Sequence, residues 1–501
     1  MNRTIAGIML TLLFVSMFAA AFSIRSAKAE PGTIYIRADG SIDPPDAPIS
    51  TVDNVTYILT GNITSDADGI VVERDNIIID GAGFTVCGTG NGAGLNLTSR
   101  SNITAMNVEI KGFNWGIWLA ASSMNTLAGN NVEGNHHGIT LDYFSNNNTI
   151  LGNNLTTCDY WGVSVAGSGN VVIDNSVSDC VGEYGYGINL YVTSNNTATD
   201  NRVFNNTLGI RLYHSENNII RNNEISNNQY GIGLEGSSGN TIYGNSITNN
   251  WYGIWVEGSS NNNVSGNTVT ANKHAGIRFY SSSYNSISGN HIANNWDGIV
   301  LWSSSYSSIV GNNIAANINH GILLYISSNN NAIFGNDIIA NRDGIFLGYS
   351  PNFNSIYHNN FIDNAYQVYD FSWEGFGEPS INVWDDGYPS GGNYWSDLNP
   401  ADVFSGSYQN ETGSDKIGDT SYIIDANNTD SYLLIYPYGY VPSPDFNNDG
   451  IIDIFDIVRM ALAFGSVSGM PNWDPYFDLN QDSIIDVFDL VVVALHFGET
   501  G

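Results

Sequence analysis

A glycine followed by isoleucine, leucine or valine recurs along most of this chain, and this repeat constrains the fold more than any other feature. It occurs thirteen times between Gly69 and Gly344, at spacings of 22 to 25 residues. The repeat unit reads approximately N-x-I-x-G-N-x-I-x-N-N-x-x-G-I-x-L, so apolar and polar residues alternate over three or four positions. Alternation with a period of two indicates short β-strands rather than helices. A fixed period of this length is typical of solenoids, in which each repeat forms one coil.

Three short strands in each unit predict an all-β, right-handed parallel β-helix over residues 69–370. The residues one and three positions after each glycine should stack in two apolar ladders inside the solenoid. Asn suits the turns, because it tolerates left-handed backbone and can hydrogen-bond to its equivalent one coil away. Cys158 and Cys180 align in adjacent coils within disulfide reach, and a disulfide and a pair of buried thiols are equal alternatives there.

These repeats resemble the β-helix family that contains pectate lyases, pectin hydrolases and NosD-like periplasmic proteins, and the resemblance covers about residues 54–370. It implies the fold but leaves the activity open, because such repeats serve lyases, hydrolases, epimerases and non-enzymes. Residues 371–441 break the period and are rich in Trp, Tyr, Asp and Gly, and they resemble the tail of NosD-like archaeal surface proteins. We interpret this segment as a C-terminal cap and residues 30–68 as the N-terminal cap, since a solenoid needs its open ends covered. A sugar or calcium site in 371–441 is the alternative.

Charge and the first residues predict where the protein acts. With 15 Lys and Arg against 48 Asp and Glu the net charge is −33, which argues against nucleic acids and anionic membranes as partners. Residues 1–29 have the pattern of a signal peptide, with Arg3, an apolar stretch and the cleavage motif Ala27-Lys28-Ala29. An uncleaved anchor is the alternative, and no later stretch is apolar enough to span a membrane. We therefore expect a secreted protein, extracellular or attached to the cell surface.

A duplicated loop follows the short linker 442–444. Oxygen-bearing side chains fall at loop positions 1, 3, 5, 9 and 12, position 7 supplies a carbonyl, and the pattern returns 33 residues later. This is the arrangement of EF-hand calcium loops. Gly450 suits the sharp turn of loop one, whereas Ser483 takes its place in loop two. The predicted Ca²⁺ ligands are Asp445, Asn447, Asp449, Ile451, Asp453 and Asp456 in loop one, and Asp478, Asn480, Asp482, Ile484, Asp486 and Asp489 in loop two.

Each loop leads into an apolar helix, and this duplicated loop–helix over residues 445–501 resembles a type I dockerin. The resemblance implies a small α-helical, EF-hand-like domain with two Ca²⁺ ions that attaches the protein to a cohesin-domain scaffold or surface protein. In that family, loop positions 10 and 11 help to choose the partner. Here they are Ile454-Phe455 and Val487-Phe488, where many bacterial type I dockerins carry small hydroxyl residues.

Side chains two and four positions after the repeat glycine should face solvent, and between Tyr191 and Trp302 many are aromatic or charged. Aromatic rings stack on sugars and Arg pairs with carboxylates. The predicted polysaccharide-binding residues are Arg211, Tyr213, Trp255, Arg278, Tyr280 and Trp302. Glu235 and Glu257 stand one coil apart, where like charges raise one pKa and suit an acid/base pair. The alternative is that these two glutamates form a surface ladder, in which Arg211 and Arg278 in adjacent coils reduce the repulsion between the carboxylates.

A second acidic set lies one residue before the glycine on consecutive coils, at Asp297, His320 and Asp343, and forms the alternate catalytic site. Together these features predict a polysaccharide-acting or polysaccharide-binding β-helix, either a lyase or a glycoside hydrolase if it is an enzyme. A non-catalytic glycan-binding or adhesion rod is the main alternative. Copper handling, which the NosD resemblance implies, has little support because the His and Met residues are scattered.

Overall fold

A computed structural model describes residues 32–373, 378–439, 444–447, 450–467, 470, 472–479 and 484–499. In this part of the chain the fold is an all-β parallel β-helix of about 14 turns with two short α-helices, which confirms the predicted fold class of the repeats. The coils fall in two compact units, Met1–Ser282 and Ser283–Gly501, called unit 1 and unit 2. The predicted signal peptide 1–29 lies outside the described residues. None of the described helices has the length and apolar character that a membrane crossing requires.

In the described part of unit 1, each coil contributes one strand to each of three parallel sheets. The first sheet contains Ile34–Ile36, Ile70–Val72, Ala93–Asn96, Trp115–Leu119, His137–Leu141, Trp161–Val165, Tyr186–Tyr191, Leu208–Tyr213, Tyr230–Glu235, Tyr252–Glu257 and Ala275–Tyr280. The second contains Thr56–Leu59, Ile78–Asp80, Thr104–Met106, Thr126–Ala128, Thr149–Leu151, Val171–Ile173, Thr197–Thr199, Ile219–Arg221, Thr241–Tyr243 and Asn263–Ser265. The third contains Ile63–Thr64, Thr85–Cys87, Glu109–Lys111, Asn131–Glu133, Asn154–Thr156, Ser176–Ser178, Arg202–Phe204, Glu224–Ser226, Ser246–Thr248 and Thr268–Thr270. Ile42–Asp43 and Ile49–Ser50 add antiparallel edges to the first and second sheets.

Unit 2 repeats this arrangement over its described residues. Its first sheet contains Asp297–Trp302, His320–Tyr325, Asp343–Gly348 and Tyr366–Asp370, and its second Ser286–Ser288, Ser308–Val310, Ala332–Phe334 and Ser355–Tyr357. Its third contains His291–Ala293, Asn313–Ala315, Asp337–Ile339, Asn360–Ile362 and Tyr394–Trp395. Two hairpins follow, Phe404–Ser405 with Glu411–Thr412 and Tyr422–Ile423 with Thr429–Asp430. The helices are α1 (Ile454–Ala461) and α2 (Val487–Leu495), with a 3₁₀ turn at Pro475–Phe477.

The two predicted apolar ladders form the core of the solenoid. Ile117 is in register with Ile139, and Leu119 with Leu141, and the same register continues through the first sheet of unit 1. Every member of both ladders is fully buried. Because burying one such aliphatic side chain contributes about 1.5–3 kcal/mol, the repeated pattern supplies the main driving force for stacking the coils.

Asparagine ladders run through the turns of the coils, as the sequence predicts. In unit 1, Asn223 donates from both its backbone N and its Nδ2 to Asn245 Oδ1, at 2.9 and 3.0 Å. Asn245 makes the same two bonds to Asn267 Oδ1. These buried amides satisfy backbone groups that a turn would otherwise leave without partners.

Cys158 and Cys180 are free, buried thiols in the structure, which corresponds to the second of the two alternatives left open by the sequence. Their coils are in register, since Leu155 pairs with Val177. Hydrogen bonding to Cys180, together with burial, raises the pKa of the Cys158 thiol. A raised pKa makes a thiol less reactive, because the thiolate is the nucleophile.

Candidate functional site

An open groove of about 590 Å³ lies against the first sheet of unit 1. Its volume is in the range of ~300–1,000 Å³ that is typical of sites for small organic ligands. Most of its lining is aromatic. The lining residues are Trp115, Trp118, His137, Thr140, Leu141, Asp142, Tyr143, Tyr160, Trp161, Ser164, Ala166, Tyr184, Tyr186, Asn189, Tyr191, Arg211 and Tyr213.

Stacked rings form one wall of this groove. Trp115 and Trp118 stack with their centroids 5.0 Å apart, and His137 stacks on Trp161 at 4.1 Å. Tyr160 continues the wall through a stacked contact with Tyr184 at 5.5 Å. Side chains that pack on one another in this way present a pre-organised apolar surface, so a ligand need not order them when it binds.

Small polar side chains lie between the rings. Trp161 Nε1 donates to Thr140 Oγ1 at 3.0 Å, and Asn189 Nδ2 donates to Ser164 Oγ at 3.2 Å. Asn189 Oδ1 and His137 Nδ1 are buried and have no hydrogen-bond partner among the described residues. An unsatisfied buried polar atom is costly, and these two atoms lie beneath the accessible surface of the groove.

The His137 imidazole is neutral at physiological pH. Burial, helped by the adjacent His136, lowers its pKa to about 4. A neutral imidazole can accept or donate a hydrogen bond, but it is a weak general base with so low a pKa.

The guanidinium of Arg211 closes one end of the groove, and it is already paired. Its Nε donates to Glu235 Oε1 at 2.9 Å and its Nη2 to Oε2 at 2.8 Å. It also lies over the rings of Tyr186 and Tyr213, at 4.8 and 4.3 Å from their centroids. The Arg211 side chain is only 12% exposed. Since both carboxylate oxygens of Glu235 occupy it, its charge is neutralised inside the protein.

The structure separates the six predicted polysaccharide-binding residues. Arg211 and Tyr213 line the groove. Trp255, Arg278 and Tyr280 lie in later coils of unit 1, where Trp255 packs against Tyr230 at 5.2 Å and Arg278 Nη1 donates to Tyr252 Oη at 3.0 Å. Trp302 belongs to unit 2 and packs against Tyr325 at 4.6 Å.

Glu235 and Glu257, the predicted catalytic pair, occupy equivalent positions in adjacent strands. Glu235 makes a bidentate ion pair with Arg211. This pair corresponds to the alternative interpretation, in which an arginine reduces the repulsion between stacked glutamates on the surface. Their catalytic role stays a prediction.

In unit 2, the alternate set of Asp297, His320 and Asp343 does come together. His320 Nδ1 lies 2.7 Å from Asp343 Oδ2, a contact with the distance of an ion pair but not the angles of a hydrogen bond. Asp343 is fully buried, and Asp297 Oδ1 accepts from the His320 backbone N at 3.3 Å. A buried carboxylate beside an imidazole can orient a general base, so this set also stays a predicted acid/base site.

The groove residues that precede the repeat glycine were missed by the sequence analysis. Strict alternation from the buried Ile117 would place Trp115 inside the solenoid. Instead Trp115 is in register with His137 and lines the outer groove beside Trp118. Gly116 permits this, because a Cβ there would lie 2.5 Å from Val132 Cγ1. The signal that could have located the groove is the run of rings at this position: Trp115, His137, Trp161 and Tyr186.

The first predicted calcium loop is described in part, and its carboxylates are turned inward. Asp445 Oδ2 accepts from Gly450 N at 2.9 Å, and Asp456 Oδ1 accepts from Asn447 N at 3.1 Å. Asp453 caps α1, accepting from Phe455 N at 2.8 Å. Asp445 and Asp456 are buried, and buried carboxylates require a cation or several donors.

The second loop repeats the same capping, with Asp486 at the start of α2 accepting from Phe488 N. Asp478 and Asp489 are fully buried, and Lys416 Nζ donates to Asp478 Oδ2 at 3.0 Å. Ile451 and Ile484, the predicted carbonyl ligands, lie within these loops at position 7. Asp449, Asn480 and Asp482 lie outside the described residues. Among the residues that are described, no three His, Cys, Asp or Glu side chains are grouped closely enough to hold a metal ion.

Several solved structures are similar to this chain in fold. A periplasmic alginate epimerase matches at 14% identity with a TM-score of 0.40, covering 67% of this chain and 79% of that one. The A-module of a mannuronan C-5 epimerase from Azotobacter vinelandii matches at 15% identity and a TM-score of 0.34, covering 70% and 87%. A pectate lyase matches at 13% identity and a TM-score of 0.34, covering 52% and 72%.

No curated protein sequence matches the chain. A family model described as NosD, a periplasmic copper-binding protein, matches residues 36–189, 166–281 and 246–400. These overlapping segments together cover more than half of the chain. The protein therefore belongs to the NosD family.

Proposed function

We propose that this protein binds an uncharged polysaccharide in the aromatic groove of unit 1, outside the cytoplasm. The observation that carries the proposal is the wall of stacked rings, with the small polar side chains of Thr140, Ser164 and Asn189 between them. Sugar rings offer apolar faces for stacking and hydroxyls for such atoms. The predicted secretion and the family's description as periplasmic support an extracytoplasmic location.

The charges of the groove favour a neutral glycan over a uronate polymer. Arg211 was predicted to pair with uronate carboxylates, but Glu235 already occupies the Nε–Nη2 edge of its guanidinium. The chain as a whole has a net charge of −33, which repels polyanions. Binding rather than cleavage is the better-supported role for this groove, because His137 is a weak base and Glu235 is held in an ion pair.

Affinity electrophoresis on neutral and acidic polysaccharides tests the proposal. Trp118→Ala should reduce retention by a neutral polymer about tenfold, since losing one stacked ring costs about 1.4 kcal/mol. The matched control is Trp251→Ala, which removes a half-exposed tryptophan that does not line the groove. Retention should not depend on added salt, because no free ion pair takes part. Retention only by pectate or alginate, or equal losses in the two variants, would contradict the proposal.

We propose a second function for the C-terminal module, calcium-dependent docking onto a cohesin-like partner. Both helices present an exposed apolar stripe, with Phe455 and Phe488 each 62% exposed. The same faces carry Val458, Leu462, Val491 and Leu495, while Met460 and Val493 face the small core below. Contiguous exposed apolar side chains of this kind mark a docking surface, and their duplication matches the dockerin resemblance.

Calcium should hold these helices in place. The described loop positions supply only oxygen donors, which suit a hard cation such as Ca²⁺. Loop one should bind more tightly, because Lys416 already supplies a cation to Asp478 in loop two. Calorimetric titration of the full chain with Ca²⁺ should give two unequal sites, and Asp445→Ala should remove the tighter one. Absence of heat and of chelator-sensitive capture by an immobilised cohesin would contradict the docking proposal.

Copper binding, which the family description names, does not fit the described residues. Copper requires clustered His, Cys or Met ligands. In the part of the chain that the structure describes, the buried thiols of Cys158 and Cys180 belong to no group of three potential ligands. We therefore assign no step to copper.

A further inference from the structure

Two tyrosines of unit 2 occupy a turn position that suits asparagine and glycine. Tyr284 and Tyr306 each stand two residues before a strand of the second sheet, and both have left-handed backbone, with φ of 59° and 57°. Asn or Gly stands at many of the equivalent turns, as at Asn195, Asn217, Gly239 and Asn261 of unit 1, with φ between 55° and 70°, whereas Met124 and Phe353 are other bulky exceptions. Asn and Gly adopt this conformation at low cost, whereas a bulky side chain is strained there. The solenoid therefore gains nothing in backbone energy from tyrosine at these two turns.

The two phenol rings are stacked and remain open to solvent. Their centroids lie 5.1 Å apart, and the ring planes differ by 7°. Tyr284 is 57% exposed and Tyr306 is 54% exposed. Neither hydroxyl has a hydrogen-bond partner among the described residues. The pair is a rigid aromatic surface with two free hydroxyls.

Uncharged polar groups surround this pair. Ser283 Oγ accepts from Ser305 N at 3.1 Å, and Ser305 Oγ accepts from Asn329 N at 3.0 Å, so a row of hydroxyl and amide groups runs beside the rings. Residues 283–290 and 298–318 contain no Asp, Glu, Lys or Arg. In a chain with 48 acidic residues, this strip offers no charged side chain that could pair with an ionic ligand. Neutral carbohydrate, with apolar ring faces and many hydroxyls, is the class of ligand that matches it.

We propose that Tyr284 and Tyr306 form a second carbohydrate-binding surface, specific for neutral polysaccharide. Backbone strain that the fold does not need is characteristic of functional positions, and the stacked, half-exposed rings offer a flat face to a sugar ring. This surface shares no residue with the unit 1 groove, so binding at one can be tested independently of binding at the other.

The test replaces both tyrosines by the residue that the other turns use. Tyr284→Asn/Tyr306→Asn should leave the unfolding temperature unchanged or raise it, because Asn relieves the strain. Affinity electrophoresis in hydroxyethylcellulose, glucomannan and laminarin should show at least a fivefold loss of retention by the polymer that the protein binds. Tyr284→Phe/Tyr306→Phe, which keeps the rings, should lose less than half of its retention.

The matched control is Met124→Asn, at the same turn position in unit 1. Met124 has a φ of 59° and is 61% exposed, so its replacement relieves the same strain without removing a ring. It should not change retention. Repeating the double substitution in the Trp118→Ala background separates this surface from the groove. The proposal is overturned if the Asn double variant is retained as well as wild type by every neutral polymer, or if wild type is retained by none.

Discussion

Removing one amide from the middle of an asparagine ladder should destabilise unit 1 far more than its size suggests. Asn245 is buried, and its Oδ1 accepts from Asn223 N and Nδ2, while its Nδ2 donates to Ile220 O, Tyr243 O and Asn267 Oδ1. In Asn245→Ala the backbone N–H of Asn223 loses this partner inside the solenoid, which costs about 1–3 kcal/mol. The lost Nδ2 bonds contribute about 1 kcal/mol each before relaxation. We therefore expect the free energy of unfolding to fall by about 3–5 kcal/mol.

Guanidinium titration followed by tryptophan fluorescence and circular dichroism measures this change. The control is Asn263→Ala, an exposed asparagine in a neighbouring strand, whose substitution should change the free energy of unfolding by no more than about 0.5 kcal/mol. Equal effects of the two substitutions would refute the reasoning, because they would mean that the ladder amides contribute no more than surface amides do.

Three further predictions concern titratable groups. Burial raises the pKa of Asp430 to about 7 in the folded protein. The stabilisation that comes from protonating this group is therefore complete below its unfolded pKa, near 3.8, and is lost as the pH rises to about 7. Asp430→Asn should flatten the pH dependence of the unfolding temperature between these limits. Glu235→Gln should lower the free energy of unfolding more than Glu257→Gln, because it leaves a buried guanidinium unpaired. If any polysaccharide is cleaved, both substitutions should remove most of that activity. Because Cys158 and Cys180 are free thiols and not a disulfide, both should react with a thiol reagent in denaturant without reductant.

The coils could be predicted from sequence because one glycine and its two following apolar residues repeat with little variation. That pattern fixes which side chains stack inside, and Ile117, Ile139 and their equivalents are all buried as predicted. The asparagine ladders followed from the same spacing, because residues one period apart must lie one coil apart.

The site was harder to predict because it depends on where alternation fails. The alternation of inward and outward side chains is interrupted at Gly116. Trp115 therefore faces outward, although a strict period of two would turn it inward. The sequence left two roles open for Arg211, as a partner for ligand carboxylates or as a cation that eases the Glu235–Glu257 ladder, and the structure pairs it with Glu235 one coil away. The choice between such roles comes from side-chain geometry that a spacing pattern does not contain.

Charge connects the two carbohydrate surfaces proposed here. The chain carries an excess of 33 negative charges, yet the groove holds its guanidinium in an internal pair and the Tyr284–Tyr306 strip contains no charged side chain. A uronate polymer would meet repulsion from the whole protein without gaining a free cation at either surface. Stacking and hydroxyl hydrogen bonds work equally well in that field for a neutral polymer, because neither depends on net charge. Under both proposals the acidic surface acts as a selectivity element, which excludes anionic polymers and leaves neutral ones to the aromatic rings.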